Sequence, residues 1–518
     1  MSGYCKYYKQ KKQVSYDNGL TWTDTGDYQK GDLYEINSTD CGYIGIMYRW
    51  INLNPSTDYY CSGTTKYYKQ QKQVSYDGGS TWSNVSPTEY KVGSIYEINS
   101  VDCGYEPPSG YSTQYLTFVA LEDGTFKFSG TAYENTVQYS LDSGETWTRL
   151  SNNDNSPTVT TGNEIWWKGT MTPTYYDGIG TFTSTGSFNI EGNIMSLIYE
   201  DNFIDKTSLS GKSHVFKGLF EDCIKIINAE NLVLPARTLS QGCYQYMFHG
   251  CYGLTTIPIL PATIMEEECY YCMFWECISL TTIPSNYLPA VTLAPYCYFR
   301  MFGGCTSLTT APQLPATTLA ESCYERMFYG CTSLTTAPTL PATALTDYCY
   351  SDMFYGCTSL TTAPTLPATS LASRCYSGMF RGCTSLTTAP SLPATTLANR
   401  CYYTMFYCCT SLTTAPTLPA TTLASGCYVA MFYGCTSLTT APTLPATTLA
   451  DSCYYCMFQN CTSLNSITCL ATDISASYAT NSWLNGVASS GTFVKNASMT
   501  SWPRTASGIP SNWTIQDA

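Results

Sequence analysis

Between Cys243 and Cys461 the apolar and polar positions recur with a fixed period. The most regular copy reads Cys323-Tyr-Glu-Arg-Met-Phe-Tyr-Gly-Cys331-Thr-Ser-Leu-Thr-Thr-Ala-Pro-Thr-Leu-Pro-Ala-Thr-Ala-Leu345. Equivalents start at 243, 269, 297, 323, 349, 375, 401, 427 and 453, nine copies 26 residues apart except for one 28-residue unit that contains Ser285 to Leu288. At the helical step of about 100° per residue, Cys323, Met327, Cys331, Tyr324 and Phe328 share one arc of roughly 140°. Counting Cys323 as position 0, the positions that vary between copies (−2, −1, +2, +3 and +6) fall on the opposite side, from about 160° to 300°. This segregation predicts a short helix of about two to three turns in each unit, its constant stripe packed between neighbours and its variable stripe facing solvent. Leu334, Ala337, Leu340 and Leu345 supply the apolar side of an extended half, where Pro338 and Pro341 cannot donate to a sheet ladder and therefore keep the strands short. The predicted class is α+β: a solenoid of 26-residue units, each a short helix plus a short strand, preceded by β-rich modules. Stacked at about 4.8 Å, the units make a rod on the order of 45 Å long.

Outside the array the pattern changes from long-period to alternating. Lys6-Tyr-Tyr-Lys-Gln-Lys-Lys-Gln-Val-Ser-Tyr-Asp-Asn-Gly-Leu-Thr-Trp22 matches Lys66-Tyr-Tyr-Lys-Gln-Gln-Lys-Gln-Val-Ser-Tyr-Asp-Gly-Gly-Ser-Thr-Trp82. Alternating aromatic and polar residues around Asp-Asn-Gly and Asp-Gly-Gly predict β-hairpins with tight turns. Residues 111–205 form a third β-rich stretch, with Ser140-Leu-Asp-Ser-Gly-Glu-Thr-Trp147. The expected organisation is a module over 1–55, its second copy over 56–110, a β-rich domain over 111–205, the solenoid over 206–470 and a cap over 471–518. A degenerate copy around Leu219-Phe-Glu-Asp-Cys223 precedes the array, as a capping repeat does. The tail departs from the 26-residue pattern and is expected to close the other end.

Composition then narrows the function. Charged residues make up 12% of the chain, about half the usual share, and 38 acidic against 25 basic side chains leave a net charge of −13. That sign disfavours a nucleic-acid partner. With only His214 and His249 present, an active site of several imidazoles cannot be assembled. No Gly-rich phosphate loop follows a strand, no Gly-x-Ser-x-Gly occurs, and no acidic pair recurs in register, so no catalytic residue, metal site or cofactor is assigned. The densest acidic cluster, Glu266 to Glu268, reads as a solvated helix start. No stretch approaches the roughly 18 apolar residues of a membrane helix. Met1-Ser-Gly-Tyr-Cys5-Lys6 does not have the form of a secretory signal, which leads to the expectation of a chain that stays in the cell or leaves by another route such as lysis.

The 27 cysteines form two ladders in the array, at positions 0 and +8. On a helix these lie roughly 12 Å apart, beyond disulfide reach, so they read as free thiols used as small buried apolar groups. Cys5, Cys41, Cys61 and Cys103 are similarly placed in the two N-terminal modules, where pairing stays open. Cys272, Cys408 and Cys456 lie off the ladders and are expected near the surface.

The variable stripe is the candidate binding face. Of its 45 positions 16 are Tyr, Trp or Arg: Tyr246, Tyr271, Trp275, Tyr296, Arg300, Arg326, Tyr329, Tyr348, Tyr355, Arg374, Arg381, Arg400, Tyr403, Tyr407, Tyr433 and Tyr455. These residue types dominate binding hot spots and suit adaptable recognition, including stacking on sugars. Drift of exposed positions after duplication is the competing account. The constant threonine ladder, Thr335 and Thr336 with their equivalents, is the alternative ligand face.

The unit Cys-Tyr-x-x-Met-Phe-x-Gly-Cys-Thr-Ser-Leu-Thr-Thr-Ala-Pro resembles the BspA-like leucine-rich repeat, although Met stands where that repeat has Ala and two prolines are added. The resemblance covers about 216–470 and implies a right-handed leucine-rich-repeat solenoid with a role in adhesion to cells, matrix or other microbes. Ser15-x-Asp17-x-Gly19-x-Thr21-Trp22, Ser75-x-Asp77-x-Gly79-x-Thr81-Trp82 and Ser140-x-Asp142-x-Gly144-x-Thr146-Trp147 resemble the Asp-box hairpin of sialidases. That family implies three arginines clamping a carboxylate, and residues 1–205 contain only Arg49 and Arg149. The motif is therefore read as structural, the aspartate capping turn amides and the tryptophan packing across the hairpin. The N-terminal modules, Gly-Asn-Ile-Met-Ser-Leu and the Gly-Ile-Pro-Ser-Asn-Trp-Thr ending look like proteins of tailed phages of gut Bacteroidales and of their hosts. Three readings follow. The first is a virion tail or fibre protein that contacts other virion proteins and binds a bacterial surface glycan or protein. The second is a cell-surface adhesin, and the third a glycosidase carried on a binding solenoid.

Overall fold

The computed structural model describes the strands at 6–14, 23–35, 47–52, 59–62, 65–75, 83–84 and 90–97, and then residues 111–130, 136–150, 157–173, 178–505 and 507–518. The chain divides into two compact units, residues 1–96 with 100–105, and residues 97–99 with 106–518. In the first, β1 (Lys6–Val14) and β2 (Thr23–Glu35) pair antiparallel, with Lys6 opposite Glu35 and Val14 opposite Thr23. A separate five-stranded sheet is organised around β5 (Thr65–Ser75), which pairs with β3 (Met47–Asn52), β4 (Tyr59–Ser62), β6 (Ser83–Asn84) and β7 (Tyr90–Glu97). Met47 lies opposite Ser75, so a strand that precedes residue 55 is paired with one that follows it. The first Ser-x-Asp-x-Gly-x-Thr-Trp segment, residues 76–82 of the second, and Cys5, Cys41 and Cys103 lie outside the described residues, as does the side chain of Cys61.

The second unit begins with a β-domain. Its six-stranded sheet runs β11 (Thr148–Arg149), β10 (Val137–Ser140), β13 (Glu164–Gly169), β8 (Leu116–Ala120), β15 (Phe188–Asn193) and β16 (Ile226–Val233). A smaller sheet orders β12 (Thr158–Val159), β9 (Gly124–Ser129) and β14 (Thr181–Ser184). Inward-facing aromatics from both sheets meet in the core: Phe118 lies 5.0 Å edge-on to Phe182, which is 4.8 Å from Trp167. The β-domain has no free end toward the repeats. β15 pairs in parallel with β16, and Phe182 stacks 5.9 Å from Phe220 of the first coil, so one hydrophobic core continues into the repeats.

In the repeats the expected short helices are absent. Among the described residues the only helical segments are α1 (Ser196–Tyr199) and a 3-10 turn over Glu200–Asn202, both ahead of the array. Each unit instead winds through tandem turns with a period of four residues. Ser322, Arg326 and Gly330 all have positive φ, as do Tyr348, Asp352 and Gly356 in the next unit. Alternate amides then have different destinations. Glu325, Met327 and Tyr329 donate back three residues, to Ser322, Tyr324 and Arg326. Tyr324, Arg326, Phe328 and Gly330 donate across to the carbonyls of Cys349, Ser351, Met353 and Tyr355 in the following unit. An α-helix would keep every amide within its own segment, bonded four residues back. Here half of them tie one unit to the next. Left-handed backbone costs an ordinary residue about 1–2 kcal/mol, and the inter-unit bonds together with burial offset it.

This spiral explains which residues are constant. Positions 0, +4 and +8 form one inward corner and positions +1 and +5 another, so Cys323, Met327, Cys331, Tyr324 and Phe328 are all buried. Tyr298, Tyr324 and Tyr350 stack at 5.7 and 5.8 Å, and Phe302, Phe328 and Phe354 at 6.0 and 5.8 Å. The cysteines at +8 are hydrogen-bond donors as well as filler: Cys331 Sγ donates to Phe302 O at 3.1 Å, Cys357 to Phe328 O at 3.1 Å and Cys383 to Phe354 O at 3.1 Å. Burial pushes these thiols up in pKa, which keeps the proton that the bond needs. Cysteines 223–469 are free. Of the three cysteines expected near the surface, Cys272 and Cys456 are buried and Cys408 is half-buried, because all three hold positive-φ positions whose amides donate to the next unit, which packs against that corner.

The extended halves touch through single parallel bridges, Thr310 to Thr336 and Thr336 to Thr362, as the prolines dictate. The same spiral extends past the nine sequence repeats at both ends. Positive φ recurs at His214, Gly218 and Asp222 before them and at Tyr478, Ser482 and Gly486 after them. The tail thus holds one more coil before it closes. Trp483 stands where the repeats have methionine and stacks 6.2 Å from Tyr454, and Trp502 stacks on it at 5.6 Å. A three-stranded parallel sheet of β17 (Ser466–Cys469), β18 (Thr492–Lys495) and β19 (Thr514–Asp517) closes this end.

Candidate functional site: a tyrosine–arginine ladder

The expected solvent-facing stripe is only partly realised, since Gln245, Cys272, Phe299, Ser322, Ser351 and Thr404 at variable positions are buried where the turns of adjacent units pack together, but none of the 16 residues singled out in the sequence is buried. Arg400, Tyr403 and Tyr455 are exposed and the other 13 are half-buried. Position +6 of successive units brings five of the aromatic ones, Trp275, Tyr329, Tyr355, Tyr407 and Tyr433, into a single column. His249 stacks on Trp275 at 4.5 Å, Tyr329 on Tyr355 at 4.7 Å, and Tyr407 on Tyr433 at 4.5 Å.

Two arginines close the gaps between these pairs. Gly303 stands at +6 where no ring is available, and Arg300 fills the place, its guanidinium 5.2 Å from Trp275 and 5.8 Å from Tyr329. Arg381, itself at +6, sits 5.1 Å from Tyr355 and 4.5 Å from Tyr407. The result is one ladder, His249–Trp275–Arg300–Tyr329–Tyr355–Arg381–Tyr407–Tyr433. Asn460 Nδ2 donates to the Tyr433 hydroxyl at 2.9 Å beyond its last ring. Ring stacking and cation–π contacts contribute about 0.5–1.5 kcal/mol each, so the ladder is rigid without a ligand.

Its geometry limits what it can bind. Trp275, Tyr329, Tyr355 and Tyr407 each have a neighbour on both faces, so the sugar stacking expected from a tyrosine-rich surface is not available along that run. The edges remain: phenol hydroxyls and the half-buried guanidinium of Arg381, groups that recognise by hydrogen bond and charge, whereas the Nε of Arg300 is buried.

The other members form smaller groups. Tyr246 meets Tyr271 edge-on at 5.4 Å, and Tyr271 stacks on Phe299 at 4.7 Å. Tyr296 donates to Glu321 at 3.2 Å. Arg374 lies 5.4 Å over Tyr348. Arg326 pairs with Asp352 at 3.1 Å, with Glu325 at 3.9 Å, while burial pushes the Asp352 carboxyl upward. The sequence pattern did not single out His249, Phe299, Asp352 or Glu221. His249 Nδ1 is 3.0 Å from Glu221, and this bond raises the imidazole pKa. Its place at +6 is the signal that identifies it.

On the threonine face one of the two exposed columns is engaged. Thr309, Thr335 and Thr361 donate their hydroxyl protons to the carbonyls of Thr281, Thr309 and Thr335, at 3.2 to 3.4 Å, so their donors are spent inside the stack. Glu266 and Glu267 are exposed beside Glu268, whose carboxyl burial raises, and no helix begins there. In the β-domain, Asp142 accepts from Thr146 N at 2.9 Å and from the Ser140 hydroxyl at 2.6 Å, which holds its carboxyl at about 2. Ser143 and Gly144 have positive φ there, and Trp147 packs 5.0 Å from Tyr115. Lys168, nearly buried, pairs with Asp201 at 2.7 Å and lies 4.4 Å over Trp147, an arrangement that ties the sheet to the segment after α1. Among the described residues no group of three or more His, Cys, Asp or Glu is placed to hold a metal ion, and no helix is long and apolar enough to cross a membrane.

No curated protein and no solved structure matches the chain. The family profile described as the BspA type leucine rich repeat region does match, in six copies over residues 213–352, 296–403 and 352–484, which together span more than half of the sequence. That span contains the stacked coils and the whole ladder, and a repeat surface of this kind is consistent with binding or adhesion. The chain belongs to the BspA-type leucine-rich-repeat family.

Proposed function

We propose that this chain is a non-enzymatic adhesion protein of a phage tail or fibre. Its leucine-rich-repeat solenoid of 26-residue units recognises a bacterial surface glycan or protein, and its N-terminal modules contact other virion proteins. The observation that carries the binding role is the outward ladder from His249 to Tyr433, a preorganised row of tyrosine, tryptophan and arginine edges on an otherwise weakly charged repeat surface. Preorganisation matters because ordering flexible side chains on binding costs about 0.5–1.5 kcal/mol for each one. The virion setting rests on the resemblance of the N-terminal modules and the Gly-Ile-Pro-Ser-Asn-Trp-Thr ending to tailed-phage proteins.

Immunogold electron microscopy on a culture of the source, with antibody to the repeats, tests the setting. Gold at phage tails is the expected result. Gold confined to cell envelopes makes the protein a cell-surface adhesin instead. The binding face is tested by replacing Trp275, Tyr329 and Tyr355 together with alanine, which is expected to abolish adherence to host cells. The inner tyrosine and phenylalanine stacks are untouched by these changes, so the fold persists. Adherence equal to that of the unaltered protein would remove the ladder from the account.

A further inference from the structure

We infer that Arg374, Arg381 and Arg400, with the tyrosine edges around them, form a binding site for a carboxylate-bearing glycan. The inference deepens the proposed function, resting on the ladder being the recognition face.

The charge distribution first points to this stretch. In a chain of net charge −13, residues 353–450 contain no Asp or Glu at all, and their only cations are these three arginines. The stretch is nearly four units long. The bordering carboxylates are already engaged: Asp352 with Arg326 at 3.1 Å, Asp347 with Ser373 N at 2.9 Å and Asp451 with Ser477 N at 3.0 Å. Among the described residues none of the three arginines forms an ion pair.

The arginines are also placed for an anion. Arg381 is held between the faces of Tyr355 and Tyr407, at 5.1 and 4.5 Å, which fixes its plane and leaves the N–H edge as its open valence. A guanidinium presenting that edge matches a carboxylate through two parallel hydrogen bonds. Arg374 and Arg400 occupy the same position in consecutive units, one coil apart, each beginning a turn spiral with positive φ. Arg374 is steadied over Tyr348 at 5.4 Å, and Arg400 is exposed. Arg374 and Arg400, at one position in consecutive coils, suit a polymer that repeats its charge, and Arg381 stands in the separate +6 column of the first of these coils. The phenols of Tyr355, Tyr407 and Tyr433 lie in the same column and supply hydrogen bonds to sugar hydroxyls. A single-stranded nucleic acid is less well served, because base stacking needs open aromatic faces and the ladder covers both faces of Tyr355 and Tyr407.

The test uses the full chain and polygalacturonate as the probe, with neutral dextran, dextran sulfate and an oligothymidylate alongside, measured by biolayer interferometry at two salt concentrations. Polygalacturonate is expected to bind more weakly as salt rises, and dextran not to bind. Arg381→Gln is expected to weaken binding at least tenfold and Arg381→Lys less, because charge survives but the planar fork does not. Arg237→Gln, a cation outside the stretch, is expected to change nothing. Unaltered circular dichroism and thermal midpoint show that each variant is folded. Failure to bind polygalacturonate overturns the inference, as does equal binding by a folded Arg381→Gln variant. Tighter binding of dextran sulfate or oligothymidylate through the same arginines overturns the carboxylate assignment. Host-cell adherence is scored in parallel to separate the two levels. Adherence abolished by the Trp275/Tyr329/Tyr355 change but not by Arg381→Gln leaves the adhesion reading standing and overturns this one. Arg381-dependent polygalacturonate binding without any cell adherence supports the site and overturns the adhesion reading.

Discussion

Replacing Gly356 by alanine distinguishes the turn spiral from a helix by the sign of its effect. Gly356 occupies position +7 of its unit with φ of 73°, and a methyl group built there meets nothing closer than Gly330 Cα at 3.8 Å, an ordinary contact. Sterics between units are therefore neutral and only the backbone decides. Left-handed geometry costs alanine about 1–2 kcal/mol relative to glycine. Stiffening of the unfolded chain returns roughly 0.4–1 kcal/mol, so the net effect is a destabilisation of about 1 kcal/mol. In a helix the same change stabilises by about 0.8–1.0 kcal/mol. Asparagine tolerates positive φ better than alanine, so the spiral predicts the stability order glycine, asparagine, alanine, whereas a helix predicts the reverse. Urea unfolding of the three proteins, together with hydrogen exchange of the amides of units 323 to 375, measures the order. A stabilising alanine, or an asparagine worse than alanine, would refute the spiral.

The cysteine ladder and the β-domain turn give further tests. Cys357→Ala removes both sulfur packing and the bond to Phe328 O, and is expected to cost about 1–2 kcal/mol in urea unfolding, whereas no loss would mean that the bond is idle. Among cysteines 223–469, native-state alkylation mapped by mass spectrometry is expected at Cys408 first, and an equally fast ladder cysteine would contradict its burial. Asp142 has its carboxyl lowered from 3.8 to about 2, so its contribution is present above pH about 4 and is lost as pH falls toward 2. The difference in thermal midpoint between the native protein and Asp142→Asn should therefore shrink between pH 4 and pH 2, and a constant difference would assign the effect to packing.

What the sequence revealed and what it concealed have one cause. Constant and variable residues separate cleanly at the helical step because a spiral of period four and a helix of period 3.6 drift apart by only about one residue over the nine positions from Cys323 to Cys331. Burial of Cys, Tyr, Met and Phe was therefore legible, and the backbone that achieves it was not. Positive φ falls on Arg326, Tyr348, Asp352 and Arg374, residues that carry no outward mark of it. Only the recurring glycine before the second cysteine, as in Gly330 and Gly356, hinted at a left-handed position. The ladder was half legible. Its residue types stood out, but that ring faces are consumed by stacking, and that Arg300 substitutes for a missing ring at Gly303, depends on which neighbours the spiral superposes. The coil at Tyr478 to Gly486 escaped notice because Trp483 and Leu484 replace the Met-Phe pair of the repeats.

Hydroxyl-radical footprinting of the protein free and bound to host cells tests the recognition face directly, since tyrosine and tryptophan are readily oxidised and each can be mapped. The account predicts protection of Trp275, Tyr329, Tyr355, Tyr407 and Tyr433 on binding, with the N-terminal tyrosines unchanged. Protection confined to the N-terminal modules, with the five ladder residues oxidised as in the free protein, would contradict it.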